Sequence, residues 1–179
     1  MARFAYYDAL PADSKRTYRK SDALLRVVVP GVAALIPLAR AVEPALAAGD
    51  RAAVQRACQA LVDGLNARLE TPPVAVTVLE RRPSDNAGEL QGLYEPDEVT
   101  GGVARITVWM RTARKEQVVR FRTFLRTLVH ELCHHLDYEL YLLAETFHTQ
   151  GFYTRESTLM RELLGEARSD AGTKPLEHG

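Results

Sequence analysis

The segment from Val118 to Leu136 constrains the fold most tightly, because read as one helix it has two unlike faces. At about 100° per residue, Val118, Phe121, Phe124, Leu125, Leu128, Val129, Leu132 and Leu136 fall in one broad arc, the pattern of a helix laid against a core. His130 and His134 fall together on nearly the opposite side, with Glu131 on the other flank of that open side. Such a helix is buried along one stripe and reachable along the other. The pattern predicts a helix from Lys115 to about Leu143, and places His135 at the edge of the core arc, where packing suits it better than ligation.

The elements around this helix are read in the same way. Val54, Ala57, Leu61, Leu65 and Leu69 recur at helical spacing between Asp50 and Glu70. Thr71-Pro72-Pro73 ends that helix, and the valine-rich alternation of "VAVTVLE" predicts a strand. Leu90 to Tyr94 and Val103 to Met110 read as two more strands, joined by a turn around Pro96-Asp97 and Gly101-Gly102. Upstream, Ser21 and Asp22 offer caps for an alanine- and leucine-rich helical region that Pro30-Gly31 breaks in two. Downstream, a break near Phe147 to Gly151 precedes a last helix, capped by Thr154 and running to about Arg168. The order is helices, strands, helices, so the expected class is α+β with a small mixed or antiparallel sheet. One domain over 1–179 is expected: a helical part at 1–71, sheet and motif helices at 72–168, and a loose polar tail at 169–179 that holds His178.

Composition narrows the partners. Lysine plus arginine equals aspartate plus glutamate at 23 each, so no overall field draws the chain to nucleic acid or to acidic membrane. The longest uncharged apolar run, Val27 to Ala39, is far short of the roughly 20 residues a membrane-crossing helix needs, and it contains two prolines. No signal peptide is evident at the N-terminus. With only Cys58 and Cys133 and no CxxC pair, a reducing cytoplasm is the expected compartment, and Cys133 is expected to be a small buried filler.

The open face of the motif helix has the geometry of a metal site. Residues four apart on a helix project together, so His130 and His134 can both reach one Zn²⁺ at about 2.0–2.1 Å. Glu131, one residue after the first ligand, is poorly placed to bind the same ion but can reach a water held on it and take its proton as general base. That pairing suits attack on a peptide carbonyl. Asp137, three residues after His134, is a candidate to orient that imidazole from behind.

"HELCH" resembles the zincin signature, HExxH. The long metzincin form does not match, since Asp137 and Leu140 stand where its glycine and third histidine belong, and the thermolysin-like second helix is half met, with Glu156 present but Met160 four residues on. The segment "FHTQGFY" is similar to the loop that follows the motif in SprT-like and related minimal zincins. That resemblance covers roughly Leu90 to Arg168 and implies a zinc peptidase acting on a peptide or protein substrate, with His148 as third ligand. Glu156 stands as the alternative third ligand, and Glu145 comes after it. A straight helix from His134 to His148 would separate them by about 21 Å, so ligation by His148 requires the chain to turn back near Glu145 to Gly151. In such folds the strand before the motif helix, here "ARITVWM", borders the cleft and takes extended substrate on its edge, leaving Trp109 as pocket wall or core. Tyr153 has the chemistry to polarise a substrate carbonyl, though packing is the commoner role. The alternative to an enzyme is a zincin-like domain that keeps its metal for binding or regulation, which a filled fourth position would favour. Arg111, Lys115, Arg122 and Arg126 share one stripe of the helical wheel; a solvated face accounts for them more readily than nucleic-acid binding does.

Overall fold

The computed structural model describes residues 4–85, 88–113 and 117–166, with the side chains of 84, 85, 88 and 89 left aside. Arg114, Lys115, Arg168, the tail from 169 and His178 lie outside the described residues. The architecture is α+β, with helices packed around a three-stranded mixed sheet. No helix among the described residues is long and apolar enough to cross a membrane.

The first helix, α1 (Ala12–Ala23), falls where no element is expected. Its buried stripe is Ser14, Thr17, Tyr18 and Ser21, largely small hydroxyl side chains, so it has no apolar period to read. Ser21 and Asp22 therefore lie in the last turn of a helix and do not cap the next one. Leu24 to Val29 is not helical either: a run of valines ahead of Pro30 disfavours helix, and Val27 and Val29 enter the core in irregular chain. Gly31, at φ 61°, turns the chain into a short 3₁₀ turn and then α2 (Ile36–Ala47), with Pro37 in its first turn.

Helix α3 (Arg51–Leu69) follows, its Asp50 side chain accepting from the Ala53 N–H at 3.0 Å. It lies along β1 (Val74–Arg81), and its side chains bond to that strand's outer edge. The Val76 N–H donates to Gln59 Oε1 and the Val78 N–H to Gln55 Oε1, while Gln59 Nε2 donates back to the Val74 carbonyl. Two short strands, β2 (Ser84–Asp85) and β3 (Gly88–Glu89), form a separate ribbon, and β4 (Gly92–Glu95) leads through the single turn α4 (Asp97–Thr100) to β5 (Ala104–Arg111).

The sheet order is β1-β5-β4, with β1 parallel and β4 antiparallel to β5. The expectation that the "ARITVWM" strand borders a cleft is thereby corrected. β5 is central and paired on both sides, and the exposed edge belongs to β4. Trp109 is buried.

The motif helix, α5, spans Phe121–Glu139, shorter than expected at both ends. Before it the chain still follows the sheet, with the Val119 N–H donating to the Met110 carbonyl and Val118 bridging Arg111. After it, Leu142 at φ 49° reverses the chain several residues earlier than expected. The last helix, α6 (Gln150–Leu163), is capped by Thr149, whose hydroxyl accepts from the Phe152 N–H at 2.9 Å; Thr154 lies within it. Phe124, Leu125, Leu128, Val129, Leu132 and Leu136 are all buried in a core shared with α2, α3, α6 and the sheet, and Cys133 is buried beside them.

Candidate metal centre

Helix α5 carries His130, Glu131 and His134 to the floor of a cleft of about 750 Å³, and the early reversal after Glu139 brings His148 back over them. The Nε2 atom of His148 lies 2.9 Å from that of His130 and 3.1 Å from that of His134. Three nitrogens held 2.0–2.1 Å from one tetrahedral centre would be separated by about 3.4 Å, so the cluster is slightly tighter than a coordinated set. The ring of Phe152, fully buried, underlies all three imidazoles, with centroids 5.0, 4.8 and 5.2 Å from those of His130, His134 and His148.

The outer hydrogen bonds fix which ring nitrogens carry protons. His130 Nδ1 lies 2.8 Å from Glu156 Oε2, a carboxylate that can only accept, so the proton sits on Nδ1 and Nε2 presents a lone pair. The Thr146 hydroxyl donates to Asp137 Oδ2 at 2.8 Å, so it accepts from His134 Nδ1 at 2.7 Å, and His134 Nε2 likewise presents a lone pair. His148 Nε2 can donate to only one of its two neighbours. Three inward-facing nitrogens with at most one proton among them form a donor set that a divalent cation such as zinc fits, and His130, His134 and His148 are the residues that would hold it.

Each carboxylate behind a histidine is held by an arginine. Glu156 Oε1 accepts from Arg126 Nη1 at 3.1 Å. Asp137 pairs with Arg155, both side chains fully buried, and Arg155 also donates to the Ser21 and Leu24 carbonyls. Glu156, the alternative third ligand, thus addresses the outer nitrogen of His130 and not the point where the three Nε2 atoms meet. Asp137 acts on His134 through Thr146, a residue to which the sequence offers no pointer. Glu145 is turned away altogether, accepting from Ser14 Oγ at 2.7 Å.

Glu131 is 7% exposed beside β4. A Cβ on Gly92 would come within 2.4 Å of Glu131 Oε1, so glycine is what lets the strand lie on the carboxylate. Burial raises the Glu131 carboxyl to about 7, with His130 pulling the other way and Glu156 adding to the rise. Burial first, then the charges of His130, His148 and Arg155, together lower His134 to about 3, which keeps that ring neutral. His148 is lowered as well, by burial first and His130 second, with Glu156 pulling the other way. His135, completely buried, points away from the cluster: its Nε2 donates to the Pro72 carbonyl at 3.0 Å, and its Nδ1 meets the Tyr94 hydroxyl at 3.3 Å.

The third histidine is secured from the opposite end of the chain. The Tyr6 hydroxyl donates to the His148 carbonyl at 3.1 Å, and Phe4 packs edge-on against Tyr153, whose ring stacks on His148. Asp22 Oδ1 accepts from the Gly151 N–H at 3.0 Å.

Of the basic stripe, Lys115 lies outside the described residues and the three arginines do not share a helix face. Arg111 lies on β5 beside Glu80, Arg122 pairs with Glu166 and Arg126 with Glu156.

Comparison with protein-family models, with curated proteins and with solved structures finds no match for this chain.

Proposed function

We propose that the protein is a zinc-dependent metallopeptidase of minimal, SprT-like zincin type, with His130, His134 and His148 holding the metal and Glu131 as general base. The observation that carries this reading is the convergence of three imidazole Nε2 atoms, those of His130 and His134 with outer hydrogen bonds that leave lone pairs pointing inward. When bound, zinc supplies a Lewis acid and makes water far more acidic. Glu131 takes the proton of the attacking water and delivers it to the departing amine. Its elevated pKa suits both halves of that transfer near neutral pH. The free edge of β4 aligns an extended peptide across the cleft, because its outward backbone groups have no strand partner among the described residues. Tyr153, which lines the same cleft, is placed to donate to a carbonyl oxygen that gains charge.

Glu156 favours catalysis over a purely structural metal. Engaged by His130 Nδ1 and Arg126, it is not a fourth ligand, and an open position is what a hydrolytic site needs. Cys58 and Cys133 are both free and buried, which suits a reducing cytoplasm.

Metal analysis with a peptidase screen tests the proposal. The native protein and Glu131→Gln are expected to carry close to one zinc per chain, His148→Ala is expected to lose it, and only the native form is expected to cleave. A native chain that takes up no zinc after reconstitution, or a Glu131→Gln variant that cleaves as fast as native, would refute it.

A further inference from the structure

The cleft has a direction, and its two ends differ. Gly92 of β4 lies on Glu131, while Tyr94, two residues on, meets His135 and packs 6.1 Å from Tyr138. β4 and α5 therefore run the same way along the cleft. Beyond Tyr94 the lining is aromatic and apolar, with Tyr138 and Pro96; toward the start of α5 it is Thr127, Arg126 and Thr123. Arg126 is the only lysine or arginine that lines the cleft among the described residues.

A strand added antiparallel to β4, the more stable pairing, runs from the tyrosine end toward Arg126. The part of a substrate before the scissile bond then lies against Tyr94 and Tyr138, and the part after it approaches Arg126. Arg126 precedes His130 by one helical turn, about 6 Å along the axis, and an extended peptide advances about 3.4 Å per residue. The guanidinium thus faces the first or second residue after the scissile bond.

The side chain of Arg126 is 52% exposed, and among the described residues only its Nη1 has a partner, Glu156. Because the other oxygen of Glu156 is committed to His130, that carboxylate fixes the guanidinium without using up its fork. We propose that Arg126 is a specificity-determining residue that pairs with a substrate carboxylate one or two residues after the scissile bond. The carboxylate is an acidic side chain or the substrate's own C-terminus. This inference rests on the peptidase reading above and gives it a substrate class.

Calorimetric titration of zinc-loaded Glu131→Gln separates the two ideas, since binding is read without turnover. The probes are acetyl-Phe-Ala-Ala-Asp-amide, its Asn counterpart, and acetyl-Phe-Ala-Ala-Ala with a free carboxyl end. At least one carboxylate probe is expected to bind about tenfold or more tightly than the Asn amide, and which one does so identifies the source. Adding Arg126→Gln should abolish that difference, and Arg126→Lys should retain part of it. Equal affinities for all three probes, no binding of any, or a preference that survives Arg126→Gln would overturn the proposal. Carboxylate-dependent binding with no cleavage by the native zinc form would instead sink the peptidase reading, and with it the position relative to a scissile bond, leaving Arg126 as a carboxylate-binding residue only.

Discussion

Replacing Arg155 by leucine should destabilise the metal-free protein more than almost any other single change. Arg155 is fully buried between α5, α6 and the end of α1. Its guanidinium donates to the Ser21 carbonyl at 3.0 Å, the Leu24 carbonyl at 3.2 Å, the Ser21 hydroxyl at 3.1 Å and the Asp137 carboxylate. Leucine fills part of the volume but leaves Asp137, also fully buried, with the Thr146 hydroxyl as its one remaining side-chain donor among the described residues. Breaking a buried pair from one side costs about 3–5 kcal/mol. For a chain of this length that corresponds to a fall in Tm of about 6–20 °C. Urea denaturation in the presence of a chelator, followed by circular dichroism, measures the change without any contribution from metal. Removing both charges, as Arg155→Leu with Asp137→Leu, should cost less than the sum of the single changes by about 1–3 kcal/mol, because neither ion is then stranded. An Arg155→Leu protein within about 1 kcal/mol of native, or strictly additive costs in the double variant, would refute the reasoning.

Three further outcomes follow from contacts around the histidines. Gly92→Ala should leave any metal content intact but cut the proposed peptidase activity by about 100-fold, because the new methyl displaces Glu131 Oε1; unchanged activity would dissociate β4 from the proposed base. Thr146→Val removes the hydroxyl between Asp137 and His134 and should weaken zinc binding about 10–100-fold in a chelator competition, with the far-ultraviolet spectrum preserved. Gly151→Ala places a methyl 2.3 Å from the Asp22 carbonyl oxygen and 2.6 Å from that of Ser21, both backbone, so it should cost about 1–3 kcal/mol in the same urea assay.

Much of the fold is legible where burial imposes a period. The arc from Phe124 to Leu136, the apolar stripe of α3 and the valines of β1 are each read correctly because one face of each element meets the core. Helix α1 escapes for the opposite reason, since its buried face is made of hydroxyls. The ends of α5 are misjudged because Val118 and Leu140 continue the helical pattern, while the sheet claims the first and the reversal at Leu142 cuts off the second. The His130 and His134 pair is visible from spacing alone, and the need for the chain to turn back before His148 follows from helix length. Asp137 is flagged behind His134 by its three-residue offset, but the hydroxyl that joins them and the place of Glu156 behind His130 are not visible in this way. Thr146 and Glu156 reach the imidazoles from separate segments, and the edge role of β4 depends on strand order, which spacing along the chain does not encode.

The fastening of His148 has a consequence for how the protein is made. His130 and His134 need only one turn of helix to come together, but the loop that bears His148 is tied to Tyr6, Ser14 and Asp22, which lie 142, 131 and 129 positions away from their partners. Closing contacts of that span comes late, after local structure has formed. A nascent chain therefore carries two of the three histidines in register well before the third arrives. Completion of the triad is a sign that the first and last helices have met, so the three nitrogens converge only in a finished molecule.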